Sequence, residues 1–371
     1  MHIKANKAAL SAVLKRVLPY VERKSTIPIL TNLLITAAED RATVTATGLG
    51  VSLIVELGCK VMAPGSVAVP ARKLSDTLAK LKTLDAAEVE LRADEGHWVT
   101  LSCGPLSVKL PGMDASRYPA LAKWPEGKPQ ADISGSVLEG LIHRTRYAII
   151  NKESRYTLNG ALLTFDAERV RMVATDGHQL SLAEHAGQWS VMRLLIPSAG
   201  IDRLSDLAAS EGARSIVITH DESRMYAKGD GWTLQGRLLG GPFPNWEMVM
   251  PKANGRRVTI SGKALAATVA RVASFADERS QATRWELIGG QGLRVSAESI
   301  ETGKASEMLA VSCEDDVTVG LSAKYVMNVL GALAKDQDVT LAIRDARGPV
   351  VWLPVEANGW KWESVLMPLR V

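Results

Sequence analysis

One histidine in this chain stands where acid–base chemistry is conceivable. His178 follows Asp176 and Gly177 at the end of the stretch Arg155–Leu182, RYTLNGALLTFDAERVRMVATDGHQLSL. A carboxylate next to an imidazole can form a general acid–base pair. Two residues apart on a strand they share a face without touching, however, and no nucleophile accompanies them. Asp-Gly is also ordinary turn chemistry. The stretch reads as two strands around a polar turn at Asp166-Ala167-Glu168-Arg169, ending in a second turn. That second turn is either a reactive site or the wall of a pocket.

Other catalytic chemistry finds no footing. His2, His97, His143, His185 and His220 form neither an H-x-x-x-H nor an H-E-x-x-H pair, so a zinc hydrolase is unsupported. No G-x-x-x-x-G-K-[ST] or G-x-G-x-x-G loop is present to cradle a nucleotide, and no G-x-S-x-G elbow presents a serine. Cys59, Cys103 and Cys313 are scattered, with no C-x-x-C spacing; that fits a reducing cytoplasm. No run approaches the ~20 apolar residues of a membrane span, and the N-terminus lacks the features of a signal peptide.

The elements around the turn repeat. Apolar residues at helical spacing mark a helix from about Lys7, and the same signal returns near Gly135 and Gly262, steps of 128 and 127. A second series begins near Pro70, Pro197 and Ser322, steps of 127 and 125. Alternating strands fill the intervals, and Pro-rich stretches at Tyr118–Pro129 and Gly241–Pro251 close the first two units. The plan is α+β with three tandem similar domains, expected at 1–125, 126–252 and 253–371, each with two helices packed on antiparallel sheets.

The net charge of +4 is unremarkable, but its placement is informative. Six helical windows carry 19 Lys/Arg against 9 Asp/Glu, which leaves −6 for everything else. Helices sharing one side would present a cationic surface to phosphates. Candidates are Lys4, Lys7, Lys15, Arg16, Arg23, Lys24, Arg72, Lys73, Lys80, Arg144, Arg146, Lys152, Lys263 and Arg271. With no zinc-finger, zipper or RNP-type motif and only 5% aromatic residues, base reading and stacking are poorly served. What remains is sequence-independent contact with duplex phosphates.

Local motifs now give a resemblance. STIPILTNLL (Ser25–Leu34), VPARKL (Val69–Leu74), RYTLNGALL (Arg155–Leu163), VATDGHQL (Val173–Leu180), FPNWEMVMP (Phe243–Pro251) and VLMPLRV (Val365–Val371) run the length of the chain. Together with the triple repeat they closely resemble the bacterial DNA polymerase III beta subunit, the sliding clamp family. The resemblance implies a head-to-tail homodimer whose six domains form a ring around double-stranded DNA, helices inward. It implies a non-catalytic, cytoplasmic processivity factor of the polymerase III holoenzyme, with no cofactor or metal and no membrane partner. Partners would be the polymerase III alpha subunit, the clamp loader, and other polymerases and repair proteins carrying Q-L-x-L-F-type peptides.

Carried over by position, the peptide pocket would comprise Leu158, Thr175, Gly177, His178, Gln179, Leu180, Pro244, Met248, Val249, Tyr325, Val365, Leu366, Met367, Pro368, Leu369 and Arg370. Lys24 and Lys152 match DNA-facing positions. Phe275, with Leu106 and Val108 on the opposing strand, would lie at the dimer interface. Gln179 and Met248 stand where the family often has arginine, and Ser280 where a phenylalanine helps form the pocket. The pocket rim is therefore expected to be less positive, and a specialised paralogue serving repair or inhibitor resistance is the alternative reading.

Overall fold

The computed structural model describes residues 1–48, 50–81, 88–150, 157–251, 255–355 and 359–370; Lys152 falls outside them. Helices α1 (Lys7–Val17), α2 (Ala71–Ala79), α3 (Gly135–Thr145), α4 (Ser198–Glu211), a short α5 (Trp246–Val249), α6 (Gly262–Ala273) and α7 (Ala323–Gly331) follow in order. The first series starts at Lys7, Gly135 and Gly262, as the periodicity predicts, and the second starts one residue after Pro70, Pro197 and Ser322. Each first-series helix also has a short strand before it, at His2–Asn6, Gln130–Ser134 and Arg256–Ser261. Sequence periodicity alone did not separate these strands from the helices they lead into.

Local chemistry explains the helix starts. Asn6 caps α1, its side-chain oxygen accepting from the backbone N–H groups of Ala8 (2.8 Å) and Ala9 (3.3 Å). Leu10, Leu14 and Val17 bury one stripe of that helix. Lys7, a candidate phosphate ligand in the sequence, is 5% exposed, because the first turn of α1 packs inward there. It is not a surface cation.

All sheet pairings among the described strands are antiparallel, and the chain divides into two compact units, not three. One comprises Met1–Gly135 with Ser210–Leu238, the other Ser136–Ala209 with Leu239–Val371. The three repeats persist, but the second is split between the units. In the first unit, its strand Trp232–Arg237 pairs with Val51–Leu57 of the first repeat, joining two four-stranded halves into an eight-stranded sheet. In the second unit, Gln179–Ala186 pairs with Trp360–Leu366 of the third repeat and builds another eight-stranded sheet. A five-stranded sheet ending at Leu106–Pro111 completes the first unit, and a four-stranded sheet ending at Gly303–Leu309 completes the second. Among the described residues no helix is long and apolar enough to cross a membrane.

The cores are filled by aliphatic side chains and by Trp232 in the first unit and Trp285 and Trp352 in the second, the latter two edge-to-face at 5.9 Å. Trp232 needs an acceptor for its indole N–H and finds Glu211 at 2.6 Å. The same carboxylate receives Arg16 at 2.7 Å and pairs with Arg214 at 2.9 Å. Burial pushes this carboxyl's pKa up, but the Trp232 and Arg16 hydrogen bonds and the two guanidinium charges outweigh it and hold it below the usual carboxylate range.

Replacing Glu211 by Ala leaves an indole N–H and a guanidinium without their acceptor. It should cost about 2–3 kcal/mol at pH 7, read by urea unfolding. Because the folded pKa is depressed, the stabilisation is full above the ordinary carboxylate range and fades as pH falls toward the folded value. The gap between wild type and Glu211→Gln should narrow below about pH 4; a constant gap would show that the charge is not what stabilises.

Candidate functional site

The turn after Arg169–Thr175 is held by its own side chains. The Asp176 carboxylate accepts from the backbone N–H of His178 at 2.8 Å and of Gln179 at 2.9 Å. Thr175 Oγ1 donates to the Gln179 carbonyl at 2.7 Å and accepts from the Gly177 N–H at 3.1 Å. Gly177 has φ 90°, a conformation that L side chains rarely adopt. Asp176 is thus engaged in shaping the turn, while His178 is exposed and lies near-parallel to Tyr325, ring centroids 6.2 Å apart. The pair is turn architecture, not an acid–base couple.

Beyond the turn, strand Gln179–Ala186 has two faces. Leu180 and Leu182 join Leu158, Leu162, Val173, Leu195, Phe243 and Val365 in one apolar cluster, with Ile150, Leu239, Trp246 and Met250 packed against it. Val365 is the cross-strand partner of Leu180. The segments next to this cluster expose apolar side chains: Met248 is 82%, Val249 62% and Met367 47% exposed. Pro244 is exposed as well, Pro368 and Leu369 are half-buried, and Arg370 is exposed. The C-terminal segment is anchored by Met367 N–H donating to the His178 carbonyl at 2.9 Å and Leu369 N–H to Gly320 at 2.8 Å. The cluster with these exposed apolar side chains at its border is the basin, rimmed by the methionines Met248 and Met367.

Two carried-over residues do not face the basin. Gln179 pairs with Leu366 across the strands, and both are buried, at 4% and 1% exposure. Alternation turns them to the side opposite Leu180 and Val365. The expectation that Gln179 softens the charge of the rim is therefore corrected. Its side-chain amide donates to the Tyr147 carbonyl and the Asp176 carboxylate, both at 3.1 Å, and Asn328 Nδ2 donates to its oxygen at 3.5 Å. Ser280 is likewise bound into a turn, its hydroxyl donating to Asp277 at 2.9 Å. Met248, by contrast, is on the exposed border, at 82% exposure.

The face that carries Gln179 is a polar seam. The Tyr147 hydroxyl reaches Ser181 Oγ at 3.1 Å and Ser364 Oγ at 2.9 Å, Trp362 Nε1 donates to Ser181 at 3.0 Å, and Ser181 donates to the Arg144 carbonyl at 2.6 Å. Burial pushes the Tyr147 hydroxyl pKa up to about 12, against the pull of these hydrogen bonds. The basin wall is thus fixed from behind to the end of α3 and to α7.

The cationic candidates divide. Lys24, Arg72, Lys73 and Lys80 are exposed, with no ion-pair partner among the described residues. Others already have anionic or aromatic partners. Arg146 forks onto Asp202, with one contact at 3.0 Å; Arg271 binds Glu307 at 2.8 Å; Lys263 lies 3.6 Å from Asp336. Arg144 lies over the Trp360 ring at 4.2 Å and donates to the Gly140 carbonyl. Arg16 is bound to Glu211, and Lys4 pairs with Glu88 at 3.3 Å.

Leu106 and Val108 are half-buried on the strand that ends the five-stranded sheet. Phe275 follows α6, and its carbonyl accepts from Thr302 at 3.0 Å, just before the strand that ends the four-stranded sheet. Sequence reasoning missed the basin floor: Leu162, Val173, Leu182, Leu195, Phe243, Trp246 and Met250. Phe243, Trp246 and Met250 sit inside the quoted FPNWEMVMP motif, Leu162 and Val173 inside RYTLNGALL and VATDGHQL, and strand alternation was the available signal for Leu182 and Leu195.

Comparison with known proteins gives the family. Residues 1–122, 132–245 and 247–370 match in turn the N-terminal, central and C-terminal domains of the DNA polymerase III beta subunit. The beta sliding clamps of Pseudomonas putida and Caulobacter vibrioides are 31% and 29% identical, each alignment spanning the whole of both chains. Among solved structures, a sliding clamp of Pseudomonas aeruginosa bound to griselimycin superposes with TM-score 0.93 at 26% identity, and the Caulobacter crescentus clamp with 0.91 at 28%, again over the full length of both chains. With three tandem clamp domains in the expected order, the chain belongs to the DNA polymerase III beta subunit family.

Proposed function

We propose that the chain is a sliding clamp, a DNA polymerase processivity factor that encircles duplex DNA as a head-to-tail homodimer and docks its partners on the basin described above. The observation that carries the docking site is the pairing of Trp360–Leu366 with Gln179–Ala186, which sets the C-terminal MPLR segment beside the Asp-Gly turn. Leu158, Thr175, Gly177, Leu180 and Val365 shape the cavity wall, His178 and Tyr325 give a polar edge, and Pro244, Met248, Val249 and Met367 to Arg370 form the rim. Peptides of the Q-L-x-L-F type would place their leucine and phenylalanine over the apolar floor. Such peptides are expected on the polymerase III alpha subunit, the clamp loader and repair polymerases.

Ring closure is supported by two sheet edges. Leu106–Pro111 and Gly303–Leu309 each end a sheet, so each presents unpaired backbone groups able to add a strand. On the first, half-buried Leu106 and Val108 alternate with exposed Ser107 and Lys109. On the second, half-buried Ala305, Glu307 and Leu309 alternate with exposed neighbours. Phe275 lies beside the second edge. A closed ring stays on DNA by topology, so phosphate contacts from Lys24, Arg72, Lys73 and Lys80 can be weak and sequence-independent. Tethering then raises the effective concentration of a bound polymerase at the primer end. The clamp makes and breaks no bond; opening the ring is left to a separate loader. Burial of Gln179 removes one motive for the paralogue reading, since that side chain does not touch the rim.

The topological mechanism is tested by loading the protein onto nicked circular DNA. It should be retained there and lost when the circle is linearised; equal loss from both forms would refute it. Met248→Ala should weaken a labelled Q-L-x-L-F peptide by about 1 kcal/mol, as expected for an exposed rim residue. Leu180→Ala should weaken it more, and both are read by fluorescence anisotropy. On duplex DNA, replacing Arg72 and Lys73 by Ala should flatten the log K against log salt slope by about one for each lost phosphate contact. Arg146→Ala, whose guanidinium is held by Asp202, should change the slope less.

A further inference from the structure

The first unit holds a second cleft, of about 210 Å³, built like the basin but chemically different. Its position follows from the repeat. Leu30, Thr47 and Ser52 stand 128 residues before Leu158, Thr175 and Leu180, and Tyr118-Pro119 stand 125 before Phe243-Pro244. The strand seam is also repeated. Ser52 pairs with Gln235 across it, where the basin has Leu180 opposite Val365. Thus the cross-strand pair that makes the basin floor apolar is hydroxyl and amide here. Thr47 and Ser52 share a hydrogen bond, and the Gln235 amide donates to the Ala122 carbonyl at 2.9 Å.

The wall differs as well. Arg224 and Arg237 both line the cleft, and they are direct cross-strand partners. Like charges placed opposite one another on a sheet repel; the Arg224 side chain already hydrogen-bonds the Tyr226 hydroxyl, which leaves Arg237 as the guanidinium open to an anion. Among the described residues no Asp or Glu lines the cleft. Glu22 lies beside Gly48 of the lining, and Asp221 stands three residues before Arg224. The Asp221 carboxylate already accepts from the backbone N–H groups of Ser223 and Arg224 and from the Tyr226 hydroxyl at 2.6 Å. Arg237 is exposed, with no ion-pair partner among the described residues. Beside the guanidiniums lie Leu30, Pro119, Leu121 and Ile27, the last 47% exposed.

We propose that this cleft is a second peptide site, which takes an extended segment carrying an acidic residue next to an aliphatic one. The carboxylate would sit on Arg237, beside Arg224, where charge-assisted, bidentate contacts are available. The aliphatic neighbour would lie on Ile27 and Leu30. A bare phosphate would satisfy the arginines but leave that apolar strip uncovered. The assignment does not depend on whether the basin binds Q-L-x-L-F peptides.

The test uses the full chain and a fluorescein-labelled pentapeptide, Leu-Asp-Leu-Glu-Asp, followed by anisotropy at low salt. Saturable binding is expected, weakened about tenfold by Arg237→Ala, as for loss of a charge-assisted hydrogen bond, and largely restored by Arg237→Lys. Arg237→Ala should unfold in urea at the wild-type midpoint, with an unchanged circular dichroism spectrum, which reports that the variant is folded. Absence of saturable binding, or binding indifferent to Arg237→Ala, would overturn the site. Equal competition by inorganic phosphate or a short thymidine oligonucleotide would overturn the peptide assignment and leave a phosphate-reading cleft.

Discussion

The requirement that backbone groups at a sheet edge find partners governs this molecule. Each repeat forms a sheet that ends in an unpaired strand, and an exposed edge invites non-specific pairing. Here the second repeat gives one edge to each neighbour. Trp232–Arg237 lies against Val51–Leu57 in one unit and Gln179–Ala186 against Trp360–Leu366 in the other. These seams explain why three sequence repeats make two compact units. The C-terminal strand, Trp360–Leu366, is consequently interior to its sheet, flanked by Gln179–Ala186 on one side and Val350–Pro354 on the other. An apolar C-terminal segment is tolerable on such a chain because its backbone is satisfied and half of its side chains are covered.

A strand inside a sheet has two faces, and the seam uses both. Leu180 and Val365 turn toward the basin; Gln179, Ser181 and Ser364 turn the other way, toward Tyr147 and Arg144. Buried polar groups are costly when only partly satisfied. The described bonds give Ser181 a donor role to the Arg144 carbonyl and acceptor roles toward Tyr147 and Trp362. The rear of the wall is therefore held at defined points by hydrogen bonds, while the front relies on apolar packing and on exposed, unbranched methionine side chains.

Much of this was readable in the sequence, and the failures have identifiable causes. Helix starts were legible because amphipathic stripes are local and repeat: the spacing of Leu10, Leu14 and Val17 lies within two turns, and the same signal recurs in each repeat. The Asp176-Gly177 turn was legible for the same reason. The seams were not, since pairing between residues about 185 apart leaves no periodic mark in either strand. Without the pairing, the facing of Gln179 and Leu366 could not be read, and both were assigned to the basin by position alone. Charge was misleading for a similar reason. Lys7 belongs to a basic window but points inward, and Arg16, Arg146 and Arg271 belong to the basic windows but are bound to Glu211, Asp202 and Glu307. A count of charges along a helix cannot reveal acids that approach from a distant strand or helix.

The two seams show one backbone pairing dressed with two different sets of side chains. Both join an Asx- or Gly-bearing turn to a long-range strand, and both lie beside a Tyr-Pro or Phe-Pro step that closes a repeat. What separates them is a handful of side chains. Leu180 opposite Val365 makes one floor apolar; Ser52 opposite Gln235 makes the other polar. Phe243 joins the basin's cluster, whereas Tyr118 at the matching place turns its hydroxyl to the Thr45 carbonyl at 3.1 Å. Because the strand pairing is set by backbone hydrogen bonds, these substitutions need not disturb the fold. Repetition of the seam thus separates the problem of joining domains from the problem of recognition. A change at one cross-strand pair, Leu180–Val365 to Ser52–Gln235, makes the floor polar, and a second pair, Arg224–Arg237, adds charge to the wall.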